Sequence, residues 1–356
     1  MKAIFEKTMV GGISSKNRLV RSATFEYGGD DSGRYRQNMY DVYEGLAKGG
    51  VGLIITGMVG IDENSRVSPY MVKTYDATFA DGLKKLTEIV HGYGCKIVVQ
   101  IAHNGAKVPK TDTGLPPMAP SKLADKNYRE MSGRDIQSPI GSFTTAAIRC
   151  KEAGADGVQI HAAHGYLISQ FLSPIFNHRA DEYGGAIEKR AKILFDIYNA
   201  IRAAVGNDYP IWIKLNSSDL EESSFTFEEC QWVCDQLTDM GIDAIEVSGG
   251  ISITPRSASA QPVRNGQEEG YFYKEANRIA ENSKADIISV GGHRTPELLE
   301  EKLNQSNVKA ISLCRPFICE PDLVNRWQSG NLEKAKCVSC NKCFAPGELS
   351  CKVFPR

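Results

Sequence analysis

Eight short apolar runs, each closing on a polar or glycine-rich turn, set the tightest limit on what this chain can fold into. They are RLVRSAT (18–24), VGLIITG (51–57), KIVVQIA (96–102), GVQIHAA (157–163), IWIKLNS (211–217), AIEVSGG (244–250), DIISVGG (286–292) and KAISLCR (309–315). Near-continuous Val, Ile and Leu suit strands that are covered by helices on one face and filled by side chains on the other, which implies parallel pairing. Between the runs lie segments of helical spacing, FADGLKKLTEIVHGYG, IEKRAKILFDIYNAIRAAVG and TFEECQWVCDQLTDMG among them, ending in the glycine that a helix C-terminus favours. This eightfold alternation predicts an α/β fold of the (β/α)8 TIM-barrel type. An open doubly wound sheet competes with it, but the first strand lacks a G-x-G-x-x-G turn and nothing divides the chain into halves.

Two segments break the rhythm. Residues 103–142 form a polar excursion after the third strand, longer than a connection needs unless it covers a site. The segment 331–356 holds four of the ten cysteines and reads as a cysteine-rich C-terminal appendage docked on a barrel of residues 1–330.

A length of 356 residues with 42% hydrophobic residues is enough for one large core. The net charge of −1 and a pI near 6.6 provide no basic field for nucleic acid or an anionic membrane surface, so a small-molecule ligand is expected. The opening MKAIFEKTMVGG has no apolar core of signal-peptide length, and no apolar stretch approaches the roughly 20 residues needed to cross a bilayer. The expected location is the cytoplasm, where cysteines serve as thiols or metal ligands rather than disulfides. A homo-oligomer is expected.

Catalytic groups of such barrels sit at the C-terminal ends of the strands. There the third run carries Gln100 and His103, the fourth His161 and His164, and the fifth Lys214 and Asn216. The glycine-rich turns at the seventh and eighth strands, with Arg294 and Arg315 close by, suit a phosphate held by backbone N–H groups and a guanidinium. Lys214 offers a compact positive charge to a cofactor that becomes anionic on reduction, or else a salt bridge to Asp219 or Glu246. The pair His161 and His164 can be read as a metal site, as core packing, or as two neutral donors to an oxygen on which charge develops. Tyr166 is protonated at neutral pH and can donate a proton to a carbanion, or can simply pack and cap a loop.

The stretches KNRLVRSAT (16–24), QIAHNGAK (100–107), LPPMAPS (115–121), IHAAHGYLISQFLSPIFNHRADEYGG (160–185), SVGGHRTPE (289–297) and RPFICEPDL (315–323) together resemble the flavin-dependent ene-reductases of the Old Yellow Enzyme family, the NADH:flavin oxidoreductases. The resemblance implies FMN on the barrel mouth, with Gln100 and Lys214 at the flavin's polar head, and Gly291, Gly292, Cys314 and Arg315 near its phosphate. Ser22, Ala23, Thr24 and Gly57 fall where relatives line the flavin. It further implies that His161 and His164 hold the oxygen of an α,β-unsaturated carbonyl or nitro substrate and that Tyr166 supplies the proton. Hydride would come from flavin N5, and NADH or NADPH would reload the flavin. Tyr27 and Phe25 fall at substrate-facing positions. Two departures stand out: relatives often carry arginine where Lys214 stands, and the flavin-tuning position is Phe25, beside Thr24, rather than the common cysteine or threonine.

Cys337, Cys340, Cys343 and Cys351 read C-x2-C-x2-C-x7-C, a density suited to an iron–sulfur cluster such as [4Fe-4S], to structural zinc, or to free thiols. The motif resembles that of dienoyl-CoA reductases and trimethylamine dehydrogenase, whose last spacing is longer and which pass electrons to a second, nucleotide-binding domain. With the chain stopping at Arg356, a cluster would need an external electron-transfer partner. An electron-transfer subunit fed through the cysteines is therefore the alternative to an ene-reductase. A zinc hydrolase built on H-x-x-H is a third reading.

Overall fold

The computed structural model describes residues 2–107, 114, 116–122, 127–255, 258–263, 269–344 and 349–355. Each of the eight runs forms a strand: β1 Leu19–Arg21, β2 Leu53–Ile55, β3 Lys96–Ala102, β4 Gly157–Ala162, β5 Ile211–Asn216, β6 Ala244–Ser248, β7 Asp286–Val290 and β8 Ala310–Leu313. All pair in parallel with their sequence neighbours, and β8 returns to β1 through Ile311 opposite Leu19, which closes the barrel. The (β/α)8 barrel is thus the fold.

Strand alternation explains why the runs read as almost wholly apolar. Residues pointing outward, such as Ile97, Val158, Ile213, Ile245, Ile287 and Ile311, join the large core beneath the surrounding helices. Those pointing inward form a ladder of changing polarity. At the N-terminal end Val20, Leu53, Val98, Trp212, Ala244, Ile288 and Ala310 pack as a separate apolar cluster with Val10 and Ile13. Val10 and Ile13 belong to an N-terminal hairpin, Thr8–Val10 with Ile13–Ser15, that stoppers this end. Its turn residue Gly11 has φ +49° and accepts the Trp212 indole N–H at 2.8 Å. A Cβ there would stand 2.4 Å from the indole nitrogen, so the close approach requires glycine. One step higher the inward side chains are Gln100, Gln159, Lys214, Glu246 and Ser312, so polarity rises toward the C-terminal mouth.

The helices follow their sequence signals. Thr226 caps Phe227–Asp239 through a capping box with Glu229, and Gly206 at φ +82° ends Lys192–Val205. The long run 187–206 is interrupted, giving a short helix Ile187–Arg190 before the longer one. The expected excursion 103–142 ends sooner than its composition suggested. A helix starts at Gly133 and runs to Glu152, begun by a capping box between Ser132 and Asp135, so its polar first turns belong to the barrel wall. Residues 108–113, 115 and 123–126 of that excursion lie outside the described residues.

After the helix Leu323–Gln328 the chain returns past the segments that follow β7 and β8. Ala335 N–H donates to the Arg294 carbonyl at 2.8 Å, Lys336 N–H donates to Glu320 at 2.5 Å, and the Asn341 amide donates to the Ala260 carbonyl at 3.0 Å. Residues 345–348 and 356 of the tail lie outside the described residues. Among the described residues no helix is long and apolar enough to cross a membrane.

Candidate active site

A cleft of about 240 Å³, open to solvent, occupies the C-terminal mouth of the barrel. Ser22, Ala23, Thr24, Phe25, Tyr27, Gln100, His161, His164, Tyr166, Lys214, Gly291, Gly292, Cys314 and Arg315 all line it. Of the expected cofactor residues Gly57 alone stands behind the wall. Its N–H donates to the Tyr43 hydroxyl at 2.7 Å, and a Cβ there would strike Glu26 at 2.1 Å.

One wall carries the histidines and the tyrosine. The His161 and His164 rings are perpendicular at 5.2 Å between centroids, and Tyr166 meets His161 at 4.7 Å and 63°. His161 stands at the end of β4, whereas His164 sits in a left-handed turn at φ +62° that swings its ring back beside it. That turn is held by the His164 N–H, which donates to the Asn216 side chain at 3.1 Å. The Ala163 N–H donates to Nδ1 of His161 at 3.3 Å, so the ring hydrogen of His161 resides on Nε2. Nε2 of His164 meets the Ser248 hydroxyl at 2.7 Å. A hydroxyl that donates there leaves the hydrogen on Nδ1.

Burial, with Lys214 and Lys107 nearby, holds the His161 imidazole well below its usual pKa. Burial, then His161, Lys214 and Lys107, does the same to His164. Both rings are neutral donors at pH 7. Burial, with Tyr27 beside it, pushes Tyr166 up to about 12, so its hydroxyl keeps its proton. Lys107 stands over the Tyr166 ring, 4.9 Å from its centroid, and donates to the His164 carbonyl. Next to Tyr166 the rim is apolar: Phe25 packs edge-on against Tyr27 at 4.6 Å, and both Phe25 and Tyr166 rest on Met58, Met71 and Ala102.

The floor is a closed polar network. Lys214 donates to the Ser22 hydroxyl at 2.8 Å and pairs with Glu246 at 3.1 Å, so it both lines the cleft and makes a salt bridge to Glu246. Its positive charge is therefore shared with a buried carboxylate. Ser22, Ser312 and Gln159 also donate to Glu246, and Gln100 donates to Gln159 at 2.7 Å. The Thr24 hydroxyl is engaged with Arg21 and, at 3.0 Å, with the Cys314 thiol.

At the far end the two arginines separate. Arg294 pairs with Glu269 at 3.1 Å and is neutralised there. Arg315 meets Asn341 at 2.6 Å, the Ser339 carbonyl at 3.5 Å and the Tyr271 hydroxyl at 3.3 Å, none of them anionic. Among the described residues it is a buried guanidinium without a carboxylate partner, which is what an anionic ligand requires. Beside it Gly291 and Gly292, at φ +113° and +74°, pass so close to Tyr271 that any side chain would strike that ring. The cleft thus offers an anion seat at one end, a donor and acceptor floor in the middle, and neutral N–H donors with a phenol above.

The four tail cysteines, with Arg315, line a separate small cavity of about 20 Å³ behind the anion seat. Cys343 is buried, Cys337 and Cys351 are half-buried and Cys340 is exposed. Among the described residues no group of three or more His, Cys, Asp or Glu side chains is placed to hold a metal ion.

Ser248, Tyr271 and Gln159 were not expected from the sequence: Ser248, with Asn216, orients His164, Tyr271 shapes the glycine turn, and Gln159 links Gln100 to Glu246. Glu246, one of two partners the sequence offered for Lys214, is the one that pairs with it, as a charged residue inside an apolar run requires.

Fold and cleft together define a (β/α)8 barrel with an anion seat and a polar floor at its C-terminal mouth. The chain belongs to the NADH:flavin oxidoreductase / NADH oxidase family, whose model matches residues 3–334. It is 32% identical to an NADH oxidase of Thermoanaerobacter brockii over 99% of its own length and 56% of that protein's. It superposes on a 2-naphthoyl-CoA reductase complex with a TM-score of 0.91 at 26% identity, covering 99% of this chain and 57% of that one. On the Old Yellow Enzyme homologue of Zymomonas mobilis the TM-score is 0.77 at 26% identity, covering 93% and 94% of the two chains. The chain therefore spans a little over half the length of the first two relatives and nearly all of the third.

Proposed function

We propose that this chain is an FMN-dependent reductase that takes electrons from NADH or NADPH and reduces an activated C=C bond of an α,β-unsaturated carbonyl or nitro compound. The observation that carries this reading is the perpendicular pair of neutral imidazoles, 5.2 Å apart, with a protonated phenol 4.7 Å from one of them above the floor. The residues fit FMN: Arg315 and the Gly291–Gly292 turn suit its phosphate, while Gln100, Lys214 and Ser22 suit the polar edge of its ring. Bound there, FMN would supply the hydride.

The chain's own residues supply the rest. Nε2–H of His161 and an N–H of His164 hold the substrate's carbonyl or nitro oxygen and stabilise the negative charge that grows on it. Being neutral, they donate without competing for the proton. Tyr166, kept protonated, delivers its phenolic proton to the α carbon. Phe25 and Tyr27 provide an apolar rim against which the alkene lies.

Stopped-flow mixing of the yellow protein with NADH and NADPH, followed by a panel of enones and nitroalkenes, tests the proposal. Rapid bleaching by a nicotinamide and recovery with an enone are expected. A colourless protein, or a flavin that neither nicotinamide bleaches, overturns it.

A second reading, an electron-transfer subunit served by a partner protein, is favoured by the cysteine cavity. Its four thiols line one space, and Arg315 lines both it and the cofactor cleft, so a cluster held there would stand beside the flavin. Iron and acid-labile sulfide assays after anaerobic purification distinguish the two. Four of each per chain with slow nicotinamide bleaching favours the subunit, and absence of both removes it.

A further inference from the structure

Glu246 is a carboxylate at the centre of β6, 0% exposed, between Ile245 and Val247. Its oxygens are fully used. Oε1 accepts from the Ser22 and Ser312 hydroxyls at 2.7 and 2.8 Å, and Oε2 accepts from the Gln159 amide at 2.9 Å and pairs with the Lys214 ammonium at 3.1 Å. Burial by itself would raise its pKa, but Lys214 and the hydrogen bonds from Ser22, Gln159 and Ser312 bring it below the ordinary value, so it is ionised. We propose that Glu246 is the positioning residue of the cofactor floor, a buried counter-charge that sets both the field of Lys214 and the donor–acceptor polarity of Gln100. This rests on the reading of the cleft as an FMN site.

An ionised carboxylate only accepts, so Gln159 must turn its NH2 toward Glu246 and its carbonyl oxygen the other way. That oxygen accepts from Gln100 Nε2 at 2.7 Å, which commits the Gln100 amide in turn and leaves its carbonyl oxygen for the cleft. A cleft acceptor at Gln100 suits a ring edge that carries an N–H between carbonyls, as flavin N3–H does. Without the anion, nothing on this relay distinguishes the two orientations of either amide.

The charge argument follows from distance. Reduced flavin bears more negative charge than oxidised flavin, and a lone buried ammonium would favour it strongly. A carboxylate 3.1 Å from that ammonium cancels much of its field, so Glu246 holds the flavin at a lower potential than Lys214 alone would give.

Spectroelectrochemical titration of flavin-loaded wild type, Glu246→Gln, Lys214→Met and the double variant tests this. Glu246→Gln is expected to shift binding toward reduced flavin by tenfold or more, about 30 mV positive for a two-electron couple. Lys214→Met should shift it the other way, and the double variant should return within threefold of wild type. An unmoved potential in Glu246→Gln, or a shift in the direction of Lys214→Met, overturns the role. If Glu246→Gln does not fold, the double variant is compared with Lys214→Met, because it replaces both charges by neutral side chains of similar size. The same positive shift supports the inference, and equal potentials overturn it. N3-methyl FMN reads the polarity: its affinity penalty should be large in wild type and several-fold smaller once the carboxylate is gone, and an equal penalty in both rejects the relay. Protein that binds no flavin at all refutes the FMN reading itself, whereas bound flavin at an unmoved potential refutes only the role of Glu246.

Discussion

The Ser248 hydroxyl stands 2.7 Å from Nε2 of His164, so a ring carried by the turn after β4 is oriented by a side chain from the end of β6. Ser248→Ala removes one hydrogen bond of about 1 kcal/mol and should weaken binding of a phenol over the flavin about fivefold. Replacing both His161 and His164 by alanine should abolish that binding. Titration of the bound flavin's absorbance with the phenol checks both, and unchanged affinity in the double variant removes the oxygen-clamp assignment.

Tyr166→Phe should slow alkene reduction about 100-fold or more while sparing flavin reduction by nicotinamide. Because the phenol's pKa is raised to about 12, its protonated form persists across the neutral and mildly alkaline range. The wild-type oxidative half-reaction should therefore stay flat from about pH 6 to 10. Equal losses in both half-reactions of the variant would disprove the proton-donor role.

Arg315 and Arg294 should respond differently to substitution although both lie beside the glycine turn. Arg315→Ala loses charge-assisted hydrogen bonds worth about 1.5–3 kcal/mol, so FMN affinity should fall about 10- to 100-fold. Arg294→Ala strands Glu269 in the interior, so its effect should fall on melting temperature more than on affinity. Flavin release by ultrafiltration and thermal melts separate the two, and an equal effect on affinity would contradict the division.

Buried neutral histidines should make the protein sensitive to acid. His293 is held down to about 3 by burial, with Lys302 adding to it, against 6.5 when unfolded. The unfolded chain thus binds the proton first, and stability is full above about pH 6.5 and falls toward pH 3. At pH 5 the loss from this residue is about 2 kcal/mol. His161, His164 and His103 shift in the same direction. Melting temperatures at pH 7.5 and 5 should show the drop, and His293→Asn should make it shallower. A flat profile argues against buried neutral rings.

Gly11→Ala should lower stability by about 1–3 kcal/mol without touching the cleft, since its new methyl meets the Trp212 indole at 2.4 Å at the opposite end of the barrel. A thermal melt together with an unchanged flavin spectrum checks it. Loss of flavin in a folded variant would show that the two ends are coupled.

The sequence alone determined the barrel, because covering strands with helices needs eight apolar runs at helical intervals, and this pattern is local. It also marked His161, His164 and Tyr166, which lie within one short turn and needed no distant partner to be recognised. The roles of Lys214, Arg294 and Arg315 were different. In the sequence each is a cation near a strand end, with Asp219 and Glu246 both open as partners of Lys214. Only closure of the barrel set Glu246 against Lys214 across adjacent strands, placed Glu269 against Arg294, and left Arg315 facing uncharged groups. Charge at a buried site depends on which opposite charges stand within a few ångströms, and that is fixed by strand register and loop return rather than by spacing along the chain.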